Sequence, residues 1–190
     1  MKGTHMLDET MFEAEEKMGK AIEVAKEDFA SIRTGRANAA MFDKLLVEYY
    51  GAPTPMQQLA SFQSPEARTM LITPFDKGAM ANIEKAIRES DLGVNPSNDG
   101  HSIRCILPEL TAERRKEYVK MAQRKGEEAK VAIRNVRRHA KDQIDRAVKD
   151  GEIGEDQGVR TEKELEAMTK KHVDLVDELL KGKETELSEV

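Results

Sequence analysis

The feature that most limits what this chain can fold into is residues 111–150, which carry one apolar stripe without a break. Tyr118, Ala122, Ala129, Ile133, Val136, Ala140, Ile144 and Ala147 recur at helical spacing until Asp150-Gly151 stops them. Thr111, three residues after Pro108, offers a polar cap, and Glu113 puts an acid at the positive end of the helix dipole. At the helical rise such a segment is roughly 60 Å long, with Gly126 expected to soften the rod. A helix of that length cannot cover its own stripe. Two partners are present: Met18, Ile22, Ala25, Phe29 and Ile32 within residues 11–32, and Leu165, Met168, His172, Leu175 and Leu179 in a pattern that starts near Thr161, after a polar turn over 151–158. The pattern predicts a long antiparallel three-helix bundle built from residues 1–33 and 109–190. Residues 1–5 precede a second methionine, Met6, and read as a cloning remnant.

Between the helices the texture changes. All six prolines fall within residues 34–110, and the apolar periods shorten. Residues 45–50, 57–62 and 68–73 read as strands, 77–90 as a helix with Met80, Ile83 and Ile87 on one face, and 101–107 as a last strand alternating Ile103, Cys105 and Leu107. The fold class is therefore α+β, with a small β-rich domain, residues 34–108, inserted into the bundle. Its two connections, near Thr34-Gly35 and Leu107-Pro108-Glu109, should lie side by side, because the helices they join are neighbours. Two short adjacent crossings make a hinge.

Charge is distributed unevenly. Residues 111–150 hold thirteen Lys and Arg against seven Asp and Glu, a balance of +6, inside a chain whose net charge is -5. Residues 151–190 hold six against twelve, a balance of -6. A uniformly basic nucleic-acid protein is excluded, whereas a directional polyanion-binding face is not. On the long helix Lys130, Arg134, Arg137 and Lys141 are spaced by 4, 3 and 4, within a sector of roughly 60° beside the core stripe, and Arg138 widens the row. Arginine forks suit phosphate oxygens, so the row fits folded RNA or DNA backbone. The alternative is that these charges pair with the acids of neighbouring helices.

Catalytic signatures are missing. Cys105 is the single cysteine, the four histidines show no metal-binding spacing, and neither GxxxxGK[ST], GxGxxG nor GxSxG occurs. His172 sits on the apolar face and Cys105 in a strand alternation, so both are expected as packed residues. No cofactor or metal is expected, and the protein does not read as an enzyme. No segment resembles a membrane span or a secretory leader, and a reducing cytoplasm suits the lone thiol. A helical adaptor that binds only protein, and a hydrolase built on Asp91 and Asp99, are the rival readings.

Six stretches, in order, resemble the bacterial ribosome recycling factors: Ile32-Arg33-Thr34-Gly35-Arg36-Ala37, Val47-Glu48-Tyr49-Tyr50-Gly51-Ala52-Pro53-Thr54-Pro55, Gln58-Leu59-Ala60-Ser61, Ser90-Asp91-Leu92-Gly93-Val94-Asn95-Pro96, Leu110-Thr111-Ala112-Glu113-Arg114-Arg115-Lys116 and Val131-Ala132-Ile133-Arg134-Asn135-Val136-Arg137-Arg138. The resemblance implies an L-shaped, tRNA-like outline, with a β/α/β domain on a three-helix bundle. It implies a monomeric, non-catalytic protein that acts after peptide release. With elongation factor G and GTP such a factor splits the ribosome into subunits and frees mRNA and tRNA. It further implies that the bundle binds 23S rRNA of the large subunit, with Arg134 and Arg137 matching the family's contact arginines and Lys130, Arg138 and Lys141 beside them. Arg33, Thr34, Gly35 and Arg36, with Leu107 and Pro108, match the hinge. Ala112 stands where the family usually has a glutamate.

Overall fold

The computed structural model describes residues 2–189. Helix α1 spans Lys2–Ser31, followed by strands β1 (Leu46–Tyr49), β2 (Ala52–Pro55), β3 (Ala60–Glu66) and β4 (Thr69–Pro74), helix α2 (Met80–Arg88), strands β5 (Pro96–Asn98) and β6 (Ile103–Ile106), and helices α3 (Ala112–Lys149) and α4 (Glu155–Ser188). The chain forms two compact units: Met1–Phe29 with Ala122–Lys183, and Ala30–Met121 with Glu184–Val190.

The first unit is a three-helix bundle. Gln157 approaches Thr4, and Met11 and Glu164 line one groove further along, so α1 and α4 run parallel. Helix α3 runs against both: Gly126, in its first half, lies under Leu180, Phe29 and Val176, and the turn after its end meets Gly3 through Glu152. The expected stripes of α1 and α3 are buried at Met18, Ile22, Ala25, Phe29, Ala122, Ala129, Ile133, Ala140, Ile144 and Ala147. Gly126 is a packing residue and not a soft point, because an added Cβ would come within 3.3 Å of Leu180 Cδ2.

Two sequence expectations for the last helix need correcting. Helix α4 begins at Glu155, with Glu155 and Asp156 in its first turn, so the turn is shorter than the 151–158 segment. Gly151, at φ +73°, ends α3: its N–H reaches Val148 O and the Glu152 N–H reaches Ala147 O, which leaves only a tight corner between the helices. Gly158 is inside α4 because a Cβ there would meet Val148 at 2.6 Å. The seam of α4 is also rotated from the expected stripe. Leu165, Thr169, His172, Val176, Lys183 and Leu187 are buried, whereas Leu175 is exposed. Polar seam positions are satisfied within the helix: Thr161 and Thr169 hydroxyls donate to the Gln157 and Leu165 carbonyls, and His172 Nδ1 lies 2.8 Å from Met168 O. Residues 2–5 continue α1, and Gly3 packs without space for a side chain. Met1 lies outside the described residues.

The second unit holds a β1–β2 hairpin, α2 and an antiparallel sheet of order β3-β4-β6-β5. Helix α2 contacts both β1 and β5. One core joins Val47 of the hairpin, Ile83 and Ile87 of α2, and Met70, Ile72, Ile103 and Cys105 of the sheet. The register pairs Met70 with Cys105 and Ile72 with Ile103 on this inner face, and Leu71 with Arg104 on the outer one. Strands β2 and β5 were not legible from residue type, because each contains proline. Both pair on one side only, where a missing N–H is tolerated. Strand β3 starts at Ala60, later than expected, because residues 56–58 close a 3₁₀ turn that buries Met56.

Candidate nucleic-acid interface

Helix α3 places the five cations at graded angles from its core stripe, and that grading decides their partners. Lys130, Arg137 and Lys141 lie at the edge nearest α4. Lys130, its side chain 14% exposed, pairs with Asp177 and with Glu127 at 3.6 Å. Arg137, 28% exposed, lies 3.2 Å from Glu166, and Lys141 lies 2.9 Å from Asp145 and 3.7 Å from Glu162. The hydrogen bond to Asp177 pushes the Lys130 ammonium above its ordinary range, and the one to Asp145 does the same for Lys141. Arg134 and Arg138, one step further round, are exposed. Arg138 donates to Asn135 Oδ1 at 2.8 Å, and among the described residues no acid lies within ion-pair distance of Arg134.

The alternative reading of the charge pattern therefore holds for three of the five cations. Sequence reasoning missed their partners on α4, although Glu162, Glu166 and Asp177 stand at helical spacing on an acidic segment. What remains open is an arginine pair at i and i+4, bordered by cations whose partners are themselves mostly solvent-exposed, with Glu166 61% and Asp177 51% exposed. Such an edge can accept phosphate oxygens at Arg134 and Arg138 first and exchange carboxylate for phosphate at its margin.

Within the second unit, the segments around Arg33 and Pro108 lie side by side. Arg33, buried, donates through Nη2 to Pro108 O and through Nη1 to Leu92 O at 3.4 Å. Burial lowers the pKa of its guanidinium, while Tyr118 beside it acts in the opposite sense. Arg33 thus staples together two segments of the second unit that are far apart in sequence. Thr34 Oγ1 accepts from the Arg36 N–H at 3.4 Å, and Arg36 is exposed. Gly35 has open space around its Cα. Leu107 is wholly buried and its N–H reaches Arg68 O at 2.8 Å.

Cys105 and His172 are buried where packing was expected. Among the described residues no three His, Cys, Asp or Glu side chains converge as a metal site would require, and no helix is long and apolar enough to cross a membrane. Of the two carboxylates in the rival hydrolase reading, Asp99 is engaged in turn chemistry: its Oδ1 accepts the Ser102 and His101 N–H groups, which hold its carboxyl below the usual range.

A family model described as ribosome recycling factor matches residues 25–187. The chain is 70% identical over 182 residues to the ribosome-recycling factor of Kineococcus radiotolerans, covering 96% of this chain and 98% of that one. It is 68% identical over 185 residues to that of Streptomyces coelicolor, covering 97% and 100%. A solution structure of a ribosome recycling factor superposes with a TM-score of 0.75 at 41% identity, over 97% of this chain and 98% of the other. A second structure, of the Thermus thermophilus factor with Escherichia coli elongation factor G bound to the E. coli post-termination complex, superposes with a TM-score of 0.68 at 42% identity, over 95% and 98%. The likeness puts the protein among the translation factors that carry no catalytic role in their name. Within them, the chain belongs to the ribosome recycling factor family.

Proposed function

We propose that this protein acts as a cytoplasmic monomer, with elongation factor G and GTP, to split the post-termination ribosome into subunits and release mRNA and tRNA. In this reading the bundle grips 23S rRNA of the large subunit through Arg134 and Arg138, then Arg137 and Lys141, with Lys130 bordering the contact. The insert, residues 34–108, is the part displaced by the translocase, turning about Arg33, Thr34, Gly35, Arg36, Leu107 and Pro108. The observation that carries the reading is the unpaired arginine edge of α3, in a chain matched along nearly its whole length by recycling factors, one of them resolved beside elongation factor G. A stiff helix transmits force, and the Arg33 bond to Pro108 O ties together the two adjacent segments assigned here to the hinge.

The test is a splitting assay on purified post-termination ribosomes, followed by light scattering, with elongation factor G and GTP. The parent protein should split them. Gly35→Pro should bind large subunits as the parent does and split slowly. Normal splitting by a variant with a demonstrably rigid connection would overturn the lever, and failure of the parent to split ribosomes would overturn the function.

A further inference from the structure

Arg138 has a choice of partners on its own helix. Asp142 stands one turn ahead of it, at i+4, and Asn135 one turn behind, at i−3, and both are exposed. A carboxylate is the stronger acceptor for a guanidinium. The same spacing, with the base first, does produce a pair at Lys141 and Asp145, 2.9 Å apart, and at Lys170 and Asp174, 2.6 Å apart. Arg138 nevertheless bonds to the neutral amide. Its Nη2 donates to Asn135 Oδ1 at 2.8 Å, and among the described residues no ion pair joins it to Asp142.

That choice leaves the charge of Arg138 uncompensated and turns its side chain back along α3, to the side on which Arg134 stands one turn away. A long, flexible side chain is thereby anchored before any ligand arrives, which lowers the ordering cost of binding. The choice also fixes what the pair can offer. A guanidinium has no acceptor, so the amide oxygen faces it and is spent, which leaves only donors: Asn135 Nδ2 and the remaining N–H groups of Arg138. Adenine asks an amide for a donor and an acceptor together, whereas phosphate oxygens ask for donors alone. Guanine presents acceptors in the major groove, which in RNA helices is too deep and narrow for side chains to read.

We infer that Asn135 is a positioning residue, which holds Arg138 away from Asp142 and aims it, beside Arg134, at a backbone phosphate of RNA. The inference rests on the recycling reading above and deepens it, adding a neutral residue that sets which cation stays free.

The test is affinity for purified large subunits at several salt concentrations, read by fluorescence anisotropy of labelled protein. Asn135→Ala should bind roughly 2- to 10-fold more weakly, the equivalent of one hydrogen bond, with a melting temperature within about 2 °C of the parent's. It removes no charge, so the slope of log affinity against log salt should not change, whereas Arg138→Ala should make that slope shallower by about 0.7–0.9. Added to Arg138→Ala, Asn135→Ala should cost nothing further. Added to Asn135→Ala, Asp142→Asn should raise affinity by a larger factor than it does in the parent. Unchanged affinity in Asn135→Ala, or the same loss with and without Arg138, would overturn the positioning role. An unchanged slope in Arg138→Ala would overturn the phosphate as its target. If the parent does not bind large subunits at all, the recycling reading fails first and the inference falls with it.

Discussion

The cationic edge of α3 makes a prediction about salt that counts its contacts. Arg134 and Arg138 are open to phosphate, and Arg137 and Lys141 are held by exposed, solvent-screened pairs with acids that stabilise little. A phosphate can displace such pairs. Lys130, shielded and held between Asp177 and Glu127, stays where it is. Four contacts give a slope of log affinity against log salt of about -2.8 to -3.6, so binding to isolated large subunits should weaken about 50- to 150-fold between 50 and 200 mM salt. With only the two unpaired arginines engaged, the loss would be about 7- to 12-fold. The assay is fluorescence anisotropy of labelled protein against purified large subunits across that range. Arg134→Ala should make the slope shallower by about 0.7–0.9, and Lys130→Gln should leave it unchanged. Glu166→Gln removes the competitor for Arg137 and should raise affinity by up to about 5-fold, the equivalent of one surface pair. An unchanged slope in Arg134→Ala, or equal losses in Arg134→Ala and Lys130→Gln, would refute the assignment of which cations reach the RNA.

Arg33→Met leaves the buried Leu92 carbonyl, and the part-buried Pro108 carbonyl, without their donor and should cost about 1–3 kcal/mol, read as a lower urea midpoint with an unchanged slope; a loss below about 0.5 kcal/mol would mean that the staple carries no energy. Two glycines of α4 should respond oppositely to alanine. Gly182→Ala, with open space around it, should stabilise by about 1 kcal/mol, and Gly158→Ala, driven against Val148, should destabilise despite the same gain in helix propensity; thermal melts of the pair decide it. Lys130, whose pKa is raised in the folded state, contributes stability that is complete below its unfolded pKa and is lost as pH climbs through the higher folded one. Melts of parent and Lys130→Met should therefore differ by a constant amount up to about pH 10 and converge above it, and a difference that persisted in strong alkali would contradict the pairing.

The stripes of α1 and α3 could be read from residue type because burial there follows a single period, and the caps that bound α3 are local chemistry. Strands β2 and β5 escaped because pairing by a neighbour, and not propensity, makes Ala52–Pro55 and Pro96–Asn98 extended. The seam of α4 was misjudged for a related reason. Thr169 and Lys183 are buried at positions where a hydropathy pattern selects Met168 and Leu175, because a threonine that bonds its own helix can sit in an apolar seam. At the interface, spacing alone placed the five cations on one side of α3. It could not assign them to acid or to solvent, since that depends on a few tens of degrees about the helix axis and on which neighbour stands at that edge. The role of Arg33 as a staple was equally invisible, because its acceptors are the main-chain oxygens of Leu92 and Pro108, far away in sequence.

Cys105 lies at full depth in the sheet, and desolvation pushes its thiol up to about 12. At neutral pH it is neither charged nor reachable by an alkylating dye. The protein thus comes with its own thiol already silent, and a reporter cysteine introduced at any exposed position can be tagged selectively without first deleting the native one.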